Sequence, residues 1–306
     1  MPPPSAKDRR IHSVLILLLL LYLVARSLQL FADKLPSLLI VVFHVLPPAV
    51  FAIIHGSRIY RPRGIFIFTT LCLGIAALSE SVSLRTGFPF GHYEFTELMG
   101  PKLFGLPILL ALAYVGMGYL SWIVASAILK YQDRPLSGKG LVLLPLLASF
   151  TMVAWDFSMD PVWANIDQAW IWRDGGPYYG VPVSNFLGWY LTVYIFYQLF
   201  ALYLRNRAPN SSQAPHWRLA ILFYAASAIG NLLIVAPASV PKIIIDPSGR
   251  HWMTSGILLA SRLASIFLMT PLSLIALAKT SASYSLNNSR VFRKRNTPDE
   301  SLSIPK

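Results

Sequence analysis

Two aspartates four residues apart, Asp156 and Asp160, lie in the stretch WDFSMDP, residues 155–161. This spacing puts both carboxyl groups on one face of a helix. Pro161 disfavours helical geometry for the residue before it, so we expect the helix to end at Asp160. Because two charged carboxylates at the end of an apolar helix are costly, at least one is expected to be a protonated acid that can donate a proton. The alternative is a hydrated, structural pair in the headgroup region.

A second polar stretch, SESVSLRTGFPFGHYEFTELMGPKLFG at residues 79–105, separates two apolar segments. Glu80 and Glu94 in it are candidates to orient a water molecule or accept its proton. The glycines and prolines indicate a tightly turning segment. His92 belongs to no His-x-x-x-His pair and Cys72 is the single cysteine, so we expect no metal site.

Composition identifies the class of protein that must position these groups. Of the 306 residues, 55% are hydrophobic and only 13% are charged, whereas about a quarter of a soluble protein is charged. We therefore expect an all-α, polytopic integral membrane protein with seven or eight transmembrane helices. The predicted helices cover residues 13–31, 37–54, 64–79, 104–129, 140–156, 184–204, 217–236 and 255–278.

The basic residues predict the orientation of these helices. Eighteen Lys and Arg fall in the tails and loops of one side, and six fall in the opposite loops. Short loops rich in Lys and Arg stay in the cytoplasm, so both termini should be cytoplasmic, in a bacterial inner membrane or the endoplasmic reticulum. The net charge of +13 then reflects topology and contact with the lipid bilayer, and no nucleic-acid partner is expected.

The predicted topology gives one transmembrane domain, residues 13–280, with polar non-cytoplasmic segments at 80–103 and 157–183. A cytoplasmic tail at 1–12 and a basic tail at 281–306 flank it, and both are expected to be disordered. Arg26 interrupts the first helix and should either snorkel to the interface or face protein.

Aromatic residues surround the aspartate pair in sequence. Such clusters are typical of the membrane interface, but aromatic rings can also stabilise a carbocation through their negative faces. The residues in question include Trp155, Trp170, Trp172, Tyr179 and Trp189.

Several motifs together resemble the carotenoid biosynthesis membrane-protein family, which includes bisanhydrobacterioruberin hydratases and related carotenoid hydratases. The motifs are TGFPFGHYEFTELMGPKLFGLP (86–107), WDFSMDP (155–161), WIW (170–172) and YGVPVSNFLGW (179–189). The resemblance extends over residues 40–275. It implies addition of water across the terminal double bond of a hydrophobic isoprenoid, without a cofactor, and leaves room for contacts with other enzymes of the pathway.

The resemblance also implies which polar residues form the site. They are Glu80, His92, Tyr93, Glu94, Lys102, Asp156, Asp160, Tyr179 and Asn185. Hydration of an alkene needs a strong acid, a water-poor pocket and one positioned water. We hypothesise that Asp160 or Asp156 is the general acid and that Glu80 or Glu94 handles the water. Substrate binding is assigned to His92, Tyr93, Trp155, Trp170, Trp172, Tyr179, Asn185 and Trp189.

Three alternatives remain open at this point. A membrane terpenoid cyclase begins with the same protonation, but an internal alkene traps the cation. A non-enzymatic transporter or lipid-binding protein would use its acids as a polar pathway. A magnesium-dependent prenyltransferase would need a second Asp-rich motif, which is not found in the sequence.

Overall fold

The computed structural model describes residues 5–210 and 214–280, which form eight helices. These are α1 (Ala6–Leu28), α2 (Ser37–Ile59), α3 (Arg61–Thr86), α4 (Ile108–Ile128), α5 (Gly140–Asn165), α6 (Val183–Tyr203), α7 (Ala214–Leu232) and α8 (Thr254–Ala264). A 3-10 turn, Gln29–Lys34, extends α1. A π-helical turn, Ser265–Met269, continues α8 within an apolar span that ends at Thr280.

Apolar length confirms the predicted fold class. Within the described residues, seven spans are long and apolar enough to cross a membrane: six contain α1 to α6, and the seventh, Thr254–Thr280, begins with α8. The strands are short and lie in the connections: β1 (Tyr93–Phe95), β2 (Lys102–Leu103), β3 (Leu106–Pro107), β4 (Trp170–Trp172), β5 (Ile243–Ile245) and β6 (His251–Met253). The protein is therefore a polytopic helical bundle.

The core of the bundle includes α4, which is buried along almost its whole length. A Cβ atom at Gly116 would lie only 2.8 Å from the backbone nitrogen of Ala49 in α2. A larger residue would push the two helices apart, because small residues are what allow helix backbones to approach closely. Gly116 thus allows the close packing of α2 on α4.

The connections on the Lys/Arg-rich side contact one another at one end of the bundle. Asp8 forms an ion pair with Arg58. The backbone nitrogen of Asn210 donates to the Ile59 carbonyl at 3.0 Å. These contacts bring together three of the segments that the charge distribution assigns to the cytoplasm.

The remaining connections meet at the other end. Strand β1 pairs antiparallel with β4. The backbone nitrogen of Ala238 donates to Asp33 at 2.6 Å, and Gly175 lies against Asp246. The loops thus separate into the two sets that the charges indicate, and which set faces the cytoplasm stays a prediction.

The first helix begins earlier than predicted. Residues 6–12, expected to belong to a disordered tail, are helical. The reason is a local cap, in which the Asp8 backbone nitrogen donates to Ser5 Oγ at 3.1 Å and Ser5 Oγ donates to the Asp8 carboxylate. The first of these bonds satisfies a backbone donor that a helix start otherwise leaves unpaired, and the second holds the two side chains together. The predicted tail at 281–306 lies outside the described residues.

The boundaries around the first polar segment also differ from the prediction. Helix α3 was expected to end at residue 79 but continues to Thr86, and it ends where Gly87 adopts a left-handed φ of 78°. Glu80 therefore lies on a helix and not in a loop. Helix α4 begins at Ile108 and not at 104, because Phe104 and Gly105 have φ of 50° and 78° and form the turn of the β2–β3 hairpin.

Helix α5 does not end at Asp160 as predicted, but continues through Pro161 to Asn165. A proline inside a helix leaves the carbonyl four residues earlier without its donor. Here that carbonyl belongs to Phe157, and the Tyr178 hydroxyl donates to it at 3.2 Å. The helix passes the proline because a side chain from a neighbouring connection replaces the missing hydrogen bond.

Tyr178→Phe tests this replacement. We expect the variant to lose about 1–3 kcal/mol of unfolding free energy, the usual cost of a buried carbonyl without a partner. The measurement is denaturant unfolding of the purified protein in mild detergent. In a Pro161→Ala background, where a backbone N–H is restored, the same change should cost much less. Equal costs in both backgrounds would contradict the explanation.

A buried carboxylate organises the β5–β6 hairpin. Asp246 accepts hydrogen bonds from the backbone nitrogens of Ser248 and Arg250, from Ser248 Oγ and from Trp252 Nε1, at 2.6–3.1 Å. Burial alone would raise the pKa of Asp246, but these donors outweigh it and hold the pKa below the ordinary 3.8. The charged form thus stabilises the hairpin.

The lowered pKa of Asp246 determines how the stability of the hairpin changes with pH. A carboxyl group whose pKa is lower when folded stabilises the fold above its unfolded pKa, and the contribution disappears as pH falls through the folded pKa. Above pH 3.8, the ordinary pKa of this carboxyl group, we expect the hairpin amides of the native protein to exchange more slowly than those of Asp246→Asn. The difference should shrink below that pH. Hydrogen exchange across residues 243–253 measures it, and a difference independent of pH would contradict it.

Candidate functional site

The two aspartates of α5 are buried and face the same neighbour. Asp156 and Asp160 are 0% and 1% exposed. Asn185, near the start of α6, donates through one nitrogen, Nδ2, to both carboxyl groups, at 3.3 Å for Asp156 and 2.6 Å for Asp160. The four-residue spacing thus places both acids against one amide.

The strand WIW brings two indole groups to the same aspartate. Alternate residues of a strand point to opposite faces, so Trp170 and Trp172 are buried while Ile171 between them is exposed. Their Nε1 atoms donate to Asp160 Oδ1 at 3.1 and 3.2 Å. Pairing with β1, in which Tyr93 lies opposite Trp172, fixes the position of this strand over α5.

A third carboxyl group, Glu80 on α3, completes the cluster. Glu80 is 2% exposed and accepts hydrogen bonds from the hydroxyl groups of Tyr93 and Tyr114. Among the described residues, the ion pairs do not involve Glu80, Asp156 or Asp160. The acids are therefore held by neutral donors in an apolar surrounding.

A small cavity, with room for about one water molecule, lies between Glu80 and Asp160. Aromatic rings form most of its wall, and Tyr114 stacks on Trp189 with ring centres 4.4 Å apart. A space of this size holds a water molecule, and the end of a polyene could enter it only if the surrounding rings moved apart. Its lining residues are Glu80, Phe90, Tyr93, Phe95, Leu110, Asp160, Trp170, Trp172, Asn185 and Trp189.

The donors around each acid differ in kind. Asp160 accepts only from N–H groups, which cannot accept in return, so they favour its carboxylate form. Hydroxyl groups surround Glu80, and a hydroxyl can donate or accept, so Glu80 can bind or release a proton without losing partners. Asp156 Oδ1 has no partner among the described residues. The cluster can therefore hold and transfer protons.

Several predicted site residues are not part of this cluster. His92 and Glu94 flank the buried Tyr93 on an alternating strand, so both point outwards. His92 contacts Asp174 at 2.7 Å and Glu94 contacts Arg173 at 2.9 Å, with all four side chains more than half exposed. Glu94 is therefore outside the cavity, whereas Glu80 lines it.

Two aromatic residues from the predicted list do not line the cavity. Tyr179 packs on Trp252, with ring centres 5.4 Å apart, and does not bond to the carboxyl groups. Trp155 is fully buried behind the cavity wall, where it contacts Trp189 edge-on. Lys102 lies on the exposed hairpin with its ammonium group over Phe95.

The structure also adds residues that the sequence analysis missed. Tyr114 bonds to Glu80 at 3.2 Å, while Phe90, Phe95 and Leu110 line the cavity. No signal in the sequence singles out Tyr114, because α4 also contains the hydroxyl residues Tyr119, Ser121 and Ser126. Within residues 5–210 and 214–280, no group of three or more His, Cys, Asp or Glu side chains could hold a metal ion.

Comparison with known families identifies the family of this chain. A family model described as carotenoid biosynthesis protein matches residues 37–245, which is about two thirds of the chain. The chain belongs to this carotenoid biosynthesis family. The matched range runs from the start of α2 to the end of β5 and includes every residue of the acid cluster and its cavity.

Family membership establishes a carotenoid-related role for this integral membrane protein. No curated protein and no solved structure matches the chain. The geometry of the cavity must therefore supply the argument for one particular reaction within the family.

Proposed function

We propose that this family member is a membrane-embedded hydratase, which adds water to the terminal double bond of an acyclic carotenoid or a related isoprenoid. The observation that carries the proposal is the placement of Asp160 and Glu80 on one cavity with aromatic walls. Alkene hydration needs an acid, a dry site for a cation and a positioned water. In this proposal the acid cluster and the aromatic walls of the cavity meet these requirements.

The aspartate pair supplies the proton. Two carboxyl groups against one amide nitrogen repel each other when both are charged, so the pair holds a shared proton. Asp160 lines the cavity and delivers that proton: its O–H bond breaks as a C–H bond forms at the terminal alkene. The three N–H groups that point at Asp160 stabilise the carboxylate left behind.

The aromatic walls accommodate the tertiary cation that results. The faces of Trp and Tyr rings attract positive charge, and more strongly where water is excluded. Trp170, Trp172, Trp189 and Tyr93 all border the space between the acids. They would stabilise the cation without forming a covalent bond to it.

Glu80 completes the reaction. A water molecule attacks the cation, a C–O bond forms, and Glu80 takes the proton that the water loses. Its hydroxyl partners, Tyr93 and Tyr114, can follow this change of charge by reversing their hydrogen bonds. Return of the proton to the aspartate pair restores the site, so the net reaction adds one water and changes no oxidation state of the protein.

In this proposal only the chain end of the substrate enters the site, and the rest remains in the bilayer. The distribution of Lys and Arg favours a non-cytoplasmic location for this end of the bundle, with both termini in the cytoplasm. Other enzymes of the same pathway are natural partners, since the substrate and the product both stay in the membrane.

Expression in cells that accumulate acyclic carotenoids tests the proposal. We expect products heavier than the substrate by one water molecule, detected by mass spectrometry. A product of unchanged mass with a new ring would indicate a terpenoid cyclase instead. No change in any acyclic carotenoid would contradict both enzymatic readings and favour a lipid-binding role.

A further inference from the structure

A second cavity lies on the other side of the end of α5. It opens between the turn after α1 and the segment after α7. Trp163 separates the two cavities, because its ring lies 5.6 Å from that of His44 in the second cavity and 5.9 Å from that of Trp170 in the first. The lining residues are Gln29, Ala32, Ile40, Val41, His44, Val162, Trp163, Asp167, Ile234, Val235 and Pro237.

Asp167 is the acid of this cavity. Among the described residues, no side chain or backbone donor bonds to its carboxyl group, although Asp167 lines the space directly. Burial raises the pKa of Asp167 to about 7, and the charge of Arg26 offsets part of that effect. Near neutral pH this carboxyl group can accept a hydrogen bond from a ligand in the cavity or donate one to it.

Arg26 does not snorkel but is buried behind this cavity, with 1% exposure. Two nitrogens of its guanidinium are engaged, one as a donor to Asn231 and the other in contact with the ring of His44, while Nε has no partner among the described residues. Asn231 in turn donates to Ser158 and Ser265, each at 2.9 Å. This network holds Arg26 at a fixed position, from which it acts on Asp167 through its charge.

These charges restrict what the cavity can bind. Asp167 disfavours an anionic headgroup, and Arg26 does not line the cavity, so a diphosphate would lack a cation to bind. An ammonium group would be attracted by Asp167 but repelled by Arg26, so its charge would gain little in this apolar surrounding. A neutral hydroxyl group satisfies Asp167 without adding charge, and the walls of Ile40, Val162 and Val235 suit a hydrocarbon chain.

We propose that the second cavity binds the hydroxyl end of an isoprenoid alcohol that enters from the bilayer. Asp167 accepts the hydroxyl proton in a hydrogen bond, and the apolar walls hold the first isoprene units of the chain. The isoprenoid nature of the ligand rests on family membership. The binding itself goes beyond the proposed hydration and does not depend on it.

Photo-crosslinking of the full chain in lipid nanodiscs tests this proposal. The probe is farnesol that carries a diazirine near its hydroxyl end, and mass spectrometry locates the labelled peptides. We expect labels at Val162–Trp163 and at 234–237. Unlabelled farnesol should compete at least about tenfold better than farnesyl methyl ether, because the ether cannot donate to Asp167 and loses a hydrogen bond worth about 1–1.5 kcal/mol.

Two variants separate recognition from folding. Asp167→Leu should weaken competition by farnesol about tenfold and remove the preference over the ether. Asp174→Leu, at an exposed position of the same end, is the matched control. Ala32→Trp, in a half-buried lining residue, should block labelling without touching the acid.

Three results would overturn the proposal: equal competition by alcohol and ether, labels confined to the first cavity, or an unchanged preference in Asp167→Leu. Crosslinking requires no turnover, so the same experiment in an Asp160→Asn background separates it from the hydratase proposal. Labels at the second cavity in that background would support the binding site even where no hydration occurs.

Discussion

Replacing Asp160 by asparagine should lower the rate of hydration by at least about a thousandfold, within the range for loss of a general acid. The amide cannot deliver a proton, and its NH₂ group replaces a carboxyl oxygen that accepts from N–H donors in the native protein. Asp156→Asn should lower the rate by about a hundredfold or more, because the proton shared by the pair is lost. Turnover per mole of purified protein is the measurement.

A matched control distinguishes catalysis from folding in this experiment. Asp174→Asn changes an acid at the same end of the bundle that is 71% exposed and contacts His92, and it should leave the rate unchanged. The unfolding curve of each variant in detergent checks that the bundle is intact. Full turnover in both Asp156→Asn and Asp160→Asn would show that the aspartate pair is not the acid.

Glu80→Gln should lower the rate by about a hundredfold, since glutamine keeps the tyrosine contacts but cannot take a proton. Tyr114→Phe should have a smaller effect, of about tenfold, because Tyr93 still donates to the same carboxyl group. The measurement is the single-turnover rate at saturating substrate, which reports the chemical step and not binding.

Glu94→Gln is the control for this prediction. Both glutamates come from the same polar stretch of the sequence, but Glu94 is exposed in an ion pair with Arg173, whereas Glu80 is buried at the cavity. The rate of Glu94→Gln should match that of the native protein. A loss in Glu94→Gln together with full activity in Glu80→Gln would contradict the position of the site.

The transmembrane helices could be predicted from the sequence because each needs only a continuous apolar stretch of about 20 residues. Sequence reasoning also placed Asp156 and Asp160 on one helix face, since that follows from their spacing. The end of α5 was wrong because the effect of Pro161 is cancelled by the Tyr178 hydroxyl from a distant connection. Tertiary contacts of this kind leave no local pattern in the sequence.

The polar residues at the site show the same limit. Glu80 and Glu94 look equivalent in the sequence, and the pairing of β1 with β4 determines which neighbours of Tyr93 point outwards. Tyr114 lies in a strongly apolar helix, so only its contact with Glu80 distinguishes it from a packing residue. The Asp167 cavity depends on four separate segments and could not be assembled from spacing.

The most direct test of the hydratase proposal uses purified protein and an acyclic carotenoid in isotopically labelled water. In H₂¹⁸O the product alcohol should contain one ¹⁸O atom. In D₂O it should carry one non-exchanging deuterium, bound to the carbon next to the alcohol carbon. Both labels together mean that the alkene is protonated and the cation is captured by water. Oxygen from O₂, or a product without either label, would contradict the account.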